Sequence, residues 1–185
     1  PINGFLDRWE ALRTRAMEAR QPIRIAVVGA GAGGVEILLA IQFRLKQLRA
    51  DAGRSDDDIH YHLFSESPDI LPTHNEKVRA VFLETLKRRG VSLHVGEAVV
   101  QVSPGKLRTA AGVEVEADEI LWVTAAGAAT WPAEAGLDVD DNGFIEVGDT
   151  LQSTSHPDVF AAGDIASMVN HPRPKSGVFA VRQGK

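Results

Sequence analysis

The chain has 185 residues, 44% of them hydrophobic, which suffices for one packed domain or one domain with part of another. Its net charge of −5 and its dispersed basic residues exclude the electrostatic footprint of a nucleic-acid binder. The absence of cysteine excludes a disulfide scaffold, a thiolate metal site and a redox dithiol within this sequence, and no apolar run approaches the roughly eighteen residues that a membrane span needs.

A cysteine-free chain without a visible signal peptide is expected in a reducing compartment, the cytoplasm, with peripheral membrane contact left open. The sequence begins at Pro1 and stops at Lys185 inside "SGVFAVRQGK", which reads as the first turns of a helix. We therefore expect a piece of a longer protein.

In chain order, residues 3–20 place Phe5, Leu6, Trp9, Leu12, Ala16 and Met17 at helical spacing, and Pro22 ends that helix. The run "IRIAVV" (23–28) is β-branched and apolar and reads as a strand. A helix over 34–50 follows, carrying Val35, Leu38, Leu39, Ile41 and Leu45, and "ADAGRSDDD" is a polar loop. Residues 59–66, "IHYHLFSE", form a second strand. "NEKVRAVFLETLKRRG" is an amphipathic helix with Val78, Val81, Phe82 and Leu86 on one face and Gly90 as its stop.

Short strands follow in "VSLHVGEAVVQVS", "KLRTAAG" and "VEVEADEILWVTAAG", with turns at Gly105 and Gly112. "NGFIEVGD" suggests a further strand, and "PDVFAAGD" a last apolar strand running into a loop. The order strand, glycines, helix, strand, helix, strand is the βαβαβ half of a doubly wound sheet. The expected fold class is thus α/β: a Rossmann-like parallel sheet flanked by helices, with a small antiparallel β layer.

Gly29, Gly31 and Gly34 satisfy G-x-G-x-x-G between a predicted strand and a predicted helix, the context that gives this motif meaning. Gly29 permits the tight turn, Gly31 lets a pyrophosphate approach the backbone, and Gly34 allows close packing of helix on strand. Free N–H groups and the helix dipole favour the diphosphate there. The alternative is a glycine-rich turn without a ligand.

Glu66 ends the second strand, where a carboxylate can accept hydrogen bonds from both ribose hydroxyls. Its distance from the finger exceeds the usual spacing because the polar loop is long. Ser67, Pro68 and Asp69 offer no basic group for a 2′-phosphate, which favours NAD over NADP. A solvated strand-end carboxylate is the other reading of Glu66.

The segments "RIAVVGAGAGGVE", "HLFSESPDILPTHNEKVRAVFLETLKRRGVSLHVGEAV", "ADEILWVTAAG" and "GFIEVGDTLQSTSHPDVFAAGDIA" resemble, in order, the pyridine nucleotide-disulfide oxidoreductase superfamily. The resemblance is to its NADH dehydrogenase-like members, flavoprotein modules related to those associated with selenophosphate synthesis included. In such proteins an NAD domain is inserted into an FAD domain. The resemblance implies an N-terminal helix or linker over 1–21, an NAD-binding domain over 22–130 and a partial FAD-binding segment over 131–185.

It further implies that Glu36 positions the nicotinamide and that Gly127, in "VTAAG", approaches the cofactor. Gly163 and Asp164, in "FAAGDIA", match the flavin signature in which an aspartate bonds the ribityl chain. The family's first glycine finger, which holds the ADP half of FAD, is absent from this sequence, and without cysteine the chain departs from the disulfide reductases. The expected cofactors are NADH here and FAD in the longer protein. The purified 185-residue chain is expected to bind NADH weakly and to show no flavin absorbance.

Other candidates read as structural. His60 and His62 alternate on one strand face and suit packing better than metal ligation. Asp56, Asp57 and Asp58 lack the glycine and glutamate of a calcium loop. Lys87, Arg88 and Arg89 close a helix whose dipole favours cations there. Trp122 and Trp131 are expected to pack the sheet end. The N-terminal helix either covers a sheet face or docks on a domain outside this sequence, and its reading as a linker that tethers the module is preferred.

The expected function is therefore the NADH-binding portion of a flavin enzyme that passes hydride from NADH to FAD and on to an acceptor such as a quinone. No catalytic acid or base is assigned, because the chemistry belongs to the cofactors. The other reading is a non-catalytic dinucleotide-binding or redox-sensing module.

Overall fold

The computed structural model describes residues 2–124 and 127–184. The chain divides into two compact units, Pro1–Thr124 and Ala125–Lys185, each described here by itself.

The first unit is built on a parallel sheet. Strands β1 (Ile23–Val28), β2 (Ile59–Ser65), β3 (Val91–Val95) and β7 (Glu119–Trp122) hydrogen-bond in the order β3-β2-β1-β7. Val28 lies opposite Phe64 on one side and Trp122 on the other, so the strands end along a common edge. The connection to β7 is not a helix. It is an antiparallel sheet of β4 (Val99–Ser103), β5 (Lys106–Thr109) and β6 (Glu114–Glu116).

Both sheet faces are covered, which explains the nearly continuous apolar run of β1. Ile23, Ile25 and Val27 point to one face and pack with Ile59, Tyr61 and Leu63 of β2. Three helices cover that face: α1 (Ile2–Glu18) through Leu12 and Ala16, α2 (Ala32–Asp51) through Val35, Leu38, Ile41 and Leu45, and α3 (Glu76–Arg88) through Leu86. Ala26, Val28 and Phe64 point the other way, onto Leu107 and Ala117 of the antiparallel layer. The period of two in a strand assigns alternate residues to these two interiors.

The residues read as a tether thus contribute core side chains. Their fixation is polar as well. Arg49 of α2, 1% exposed, donates from Nε to the Ala16 carbonyl at 2.8 Å and from Nη1 to the Ser55 carbonyl at 2.8 Å, and it pairs with Asp58. Arg54 donates to the carbonyls of Met17 and Ala19. Cationic donors therefore satisfy carbonyls at the C-terminal end of α1, where the helix leaves them without partners. From the middle and the last turn of α1, Arg8 and Arg15 both bind the Glu119 carboxylate of β7.

Two sequence expectations fail locally. Trp122 and Trp131 are exposed, at 53% and 57%, rather than packed at the sheet end. Trp122 instead donates from Nε1 to Thr124 Oγ1 at 2.9 Å. Residues 157–164 also do not form the predicted strand. Val159 and Ala161 hydrogen-bond singly to Ser153 and Leu151, and a 3₁₀ turn over Gly163–Ile165 begins where Gly163 takes φ +75°. A backbone turned that way leaves the extended conformation a ladder requires.

The second unit holds the short helix α4 (Trp131–Glu134), a two-stranded parallel sheet of β8 (Ile145–Val147) and β9 (Ala166–Met168), and helix α5 (Gly177–Gln183). Ile145, Val147, Ala161 and Ala166 form its small core.

Candidate functional site

The glycine finger joins β1 to α2, and its three glycines are held by different constraints. Gly29 has φ +112°, and a Cβ there would lie 2.2 Å from the Val123 carbonyl oxygen, behind the end of β7. Its own N–H donates to the Phe64 carbonyl of β2 at 2.9 Å. A Cβ on Gly34 would lie 1.7 Å from the Gly29 carbonyl oxygen. Around the position of a Cβ on Gly31, by contrast, nothing lies within 4 Å.

Two glycines are therefore required by packing, while the third leaves space over the start of α2. Gly31 is the N-cap residue of that helix, and no side chain caps its first N–H groups. Glycine supplies no capping oxygen, so the 20-residue helix presents free donors and the positive end of its dipole to that space.

Glu66 follows the last residue of β2 and is exposed. It stands at the same sheet edge as the finger. The loop after it is fastened on three sides. Leu71, at φ 50°, donates its N–H to the Ala30 carbonyl of the finger at 2.8 Å. The Gly96 N–H donates to the Ser67 carbonyl at 2.8 Å, and Ser65 Oγ donates to the Asp69 carbonyl at 3.2 Å. Asn75 then caps α3, accepting from the Val78 N–H at 3.0 Å.

Sequence reasoning missed this loop-to-finger bond and the Val123 backing of Gly29. Both are backbone contacts between distant segments and leave no mark on residue type. It also missed Arg79, whose Nη1 reaches Asp69 Oδ2 at 2.8 Å from the second turn of α3. Glu36 is exposed on α2, one residue past the buried Val35.

In the second unit, Gly127 is exposed with open space around its Cα. Gly163 needs its glycine, since φ is +75° and a Cβ would come within 3.3 Å of the Ala180 side chain; its N–H donates to Gln183 Oε1 at 2.7 Å. Asp164 is exposed on the 3₁₀ turn. Near it, Lys175 donates to the Ala166 carbonyl at 2.5 Å and stands 3.9 Å from the centre of the Phe144 ring. Burial lowers the Lys175 pKa, against the opposing pull of Asp140 and Asp164. Gly29, Gly31, Gly34, Glu36 and Glu66 thus belong to the first unit, and Gly127, Gly163 and Asp164 to the second.

His62 meets no metal cluster. Its Nδ1 lies 3.2 Å from Nε2 of His94 on β3, and the His94 ring stacks on Phe64 at 4.2 Å. Among the described residues no group of three or more His, Cys, Asp and Glu is arranged to hold a metal ion. Asp58 is taken by Arg49, and Asp57 accepts from Ser55 Oγ at 2.6 Å. Among the same residues no helix is long and apolar enough to cross a membrane.

The pyridine nucleotide-disulphide oxidoreductase family matches residues 3–184. The type II NADH:quinone oxidoreductase of Haemophilus influenzae is 30% identical over 150 residues, 80% of this chain and 34% of that protein. The NADH oxidase of Enterococcus faecalis is 31% identical over 177 residues, 90% of this chain and 37% of that one. Among solved structures, the water-forming NADH oxidase of Lactobacillus brevis bound to NADH superposes with a TM-score of 0.66 at 26% identity, covering 95% of this chain and 37% of that one. The chain spans between 34% and 46% of the length of curated relatives it matches.

Proposed function

The chain belongs to the pyridine nucleotide-disulphide oxidoreductase family, and from that premise we propose that it is the NADH-binding portion of a flavin-dependent oxidoreductase. The observation that carries this reading is the open space over Gly31, at an uncapped helix N-terminus, within a finger whose other two glycines are packed solid. That pattern suits a diphosphate approaching the backbone and serves no packing purpose of its own.

On this reading Gly29 and Gly34 shape the finger, the N–H groups that follow Gly31 bind the pyrophosphate, and Glu66 accepts from the adenosine ribose. Glu36 positions the nicotinamide, and Gly127 approaches a cofactor. Residues 22–130 are the NAD-binding domain, and 131–185 are part of an FAD-binding domain. There Gly163 sets the turn that presents Asp164 to the ribityl chain.

When bound, the two cofactors would supply the chemistry, hydride transfer from nicotinamide to flavin and electron delivery to an acceptor such as a quinone. The residues of this chain bind and orient the cofactors, and no side chain in it is assigned to proton transfer. The relatives named as NADH:quinone oxidoreductase and NADH oxidase support this class of reaction.

The test is flavin content and NADH oxidation in a protein extended to the length of those relatives, with a dye as acceptor. Stoichiometric flavin and NADH-dependent dye reduction are expected. An extended protein that binds NADH but takes up no flavin would favour the sensing module. The 185-residue chain itself is expected to bind NADH weakly without flavin absorbance, and a yellow preparation would contradict that.

A further inference from the structure

Asp69 and Arg79 form an ion pair that the sequence does not advertise. The loop after β2 carries no Lys or Arg between Glu66 and Asn75, yet the fold brings a guanidinium to it from α3. Arg79 Nη1 lies 2.8 Å from Asp69 Oδ2, and the two side chains are 27% and 60% exposed. The position of Asp69 is fixed. Its carbonyl accepts from Ser65 Oγ, the residue just before Glu66, and two residues later Leu71 is bonded to the finger at Ala30.

We propose that the Asp69–Arg79 pair is a specificity determinant that makes the site reject a 2′-phosphorylated dinucleotide. The proposal rests on the reading of Glu66 as the ribose ligand. A 2′-phosphate would arrive beside Glu66, at the start of this loop. A guanidinium is the side chain best suited to bind it, through paired donors in a planar fork. Arg79 is such a group, but its Nη1 is turned to the Asp69 carboxylate.

The pair therefore withholds the cation that would bind the phosphate. A ribose with a free 2′-hydroxyl asks only for an acceptor and is indifferent to the pair. The loop's anchors to Ser65 and Ala30 hold Asp69 in place without help from Arg79, so breaking the pair releases Arg79 and leaves the loop standing.

The experiment is a fluorescence titration of the 185-residue chain with NADH and with NADPH, for the wild type, Asp69→Asn, Arg79→Gln and the double variant. Asp69→Asn should tighten NADPH relative to NADH by about tenfold, the ratio that one charge-assisted contact commands. Arg79→Gln alone should leave the ratio unchanged, and the double variant should return to the wild-type ratio. A double variant that keeps the gain overturns the proposal, because relief of repulsion would then explain it. So does an unchanged ratio in Asp69→Asn, or a loss of NADPH binding in Arg79→Gln alone. A wild-type chain that binds no NADH at all would instead remove the functional reading beneath it.

Discussion

A side chain on Gly34 would begin 1.7 Å from the carbonyl oxygen of Gly29. The helix can therefore start against β1 only if position 34 has no Cβ, and the same finger needs none at Gly29, where the Val123 carbonyl stands 2.2 Å from its place. Gly29→Ala and Gly34→Ala are each expected to cost about 2–4 kcal/mol, from overpacking and, at Gly29, from the positive φ. Gly31→Ala should melt like the wild type and bind NADH at least about tenfold more weakly, since its methyl would enter the ligand's space. Thermal unfolding and NADH titration separate the two classes. A Gly31→Ala chain that binds NADH normally would leave the open space without a ligand.

Glu66 is exposed at the strand end, so its substitution should leave stability nearly untouched. Glu66→Gln is expected to weaken NADH by roughly tenfold, the worth of a charge-assisted hydrogen bond. Glu66→Arg should weaken NADH and spare or improve NADPH. Unchanged NADH affinity in both would remove Glu66 from the site.

Arg49 ties α1, the 52–58 loop and α2 together from a position with 1% exposure. Arg49→Met would leave the Asp58 carboxylate without its partner and the Ala16 and Ser55 carbonyls without their donor. A loss of about 3 kcal/mol is expected, as for other broken buried pairs. Limited proteolysis should then cut within α1 faster than in the wild type. If α1 is merely a tether, denaturant unfolding will register no change.

Stability should fall with acid through the His62–His94 contact. Burial, followed by the neighbouring His94, His60 and Arg24, lowers the His62 pKa, and burial lowers that of His94 against the pull of Glu97. Below the ordinary imidazole value of about 6.5 the unfolded chain therefore binds more protons than the folded one. The stabilisation is complete above that value and is lost as pH drops beneath it. A melting temperature that falls between pH 7.5 and 5.5, and falls less in His62→Gln, is the expected result. Equal slopes would exonerate the pair.

The parallel sheet and its finger were legible because their signals are local. β1 is apolar at every position but Arg24, the glycines follow it at fixed spacing, and an amphipathic helix stops at Gly90. Those patterns record burial and backbone conformation, which act on each residue where it stands. The 157–164 stretch misled for the same reason: apolar residues read as a strand, although Val159 and Ala161 find only single backbone partners in Ser153 and Leu151 and no ladder.

By itself, then, the sequence determined the order of the parallel strands and helices of the first unit, the positions of the finger glycines and the acidic residue at the next strand end. Only the tertiary structure decided that α1 belongs to the core, that His62 faces His94, and that Arg79 is carried to Asp69 in the loop behind Glu66. Charged and aromatic side chains have long reach and no periodicity of their own. Their partners depend on which helix crosses which strand end, and that is fixed only when the layers close.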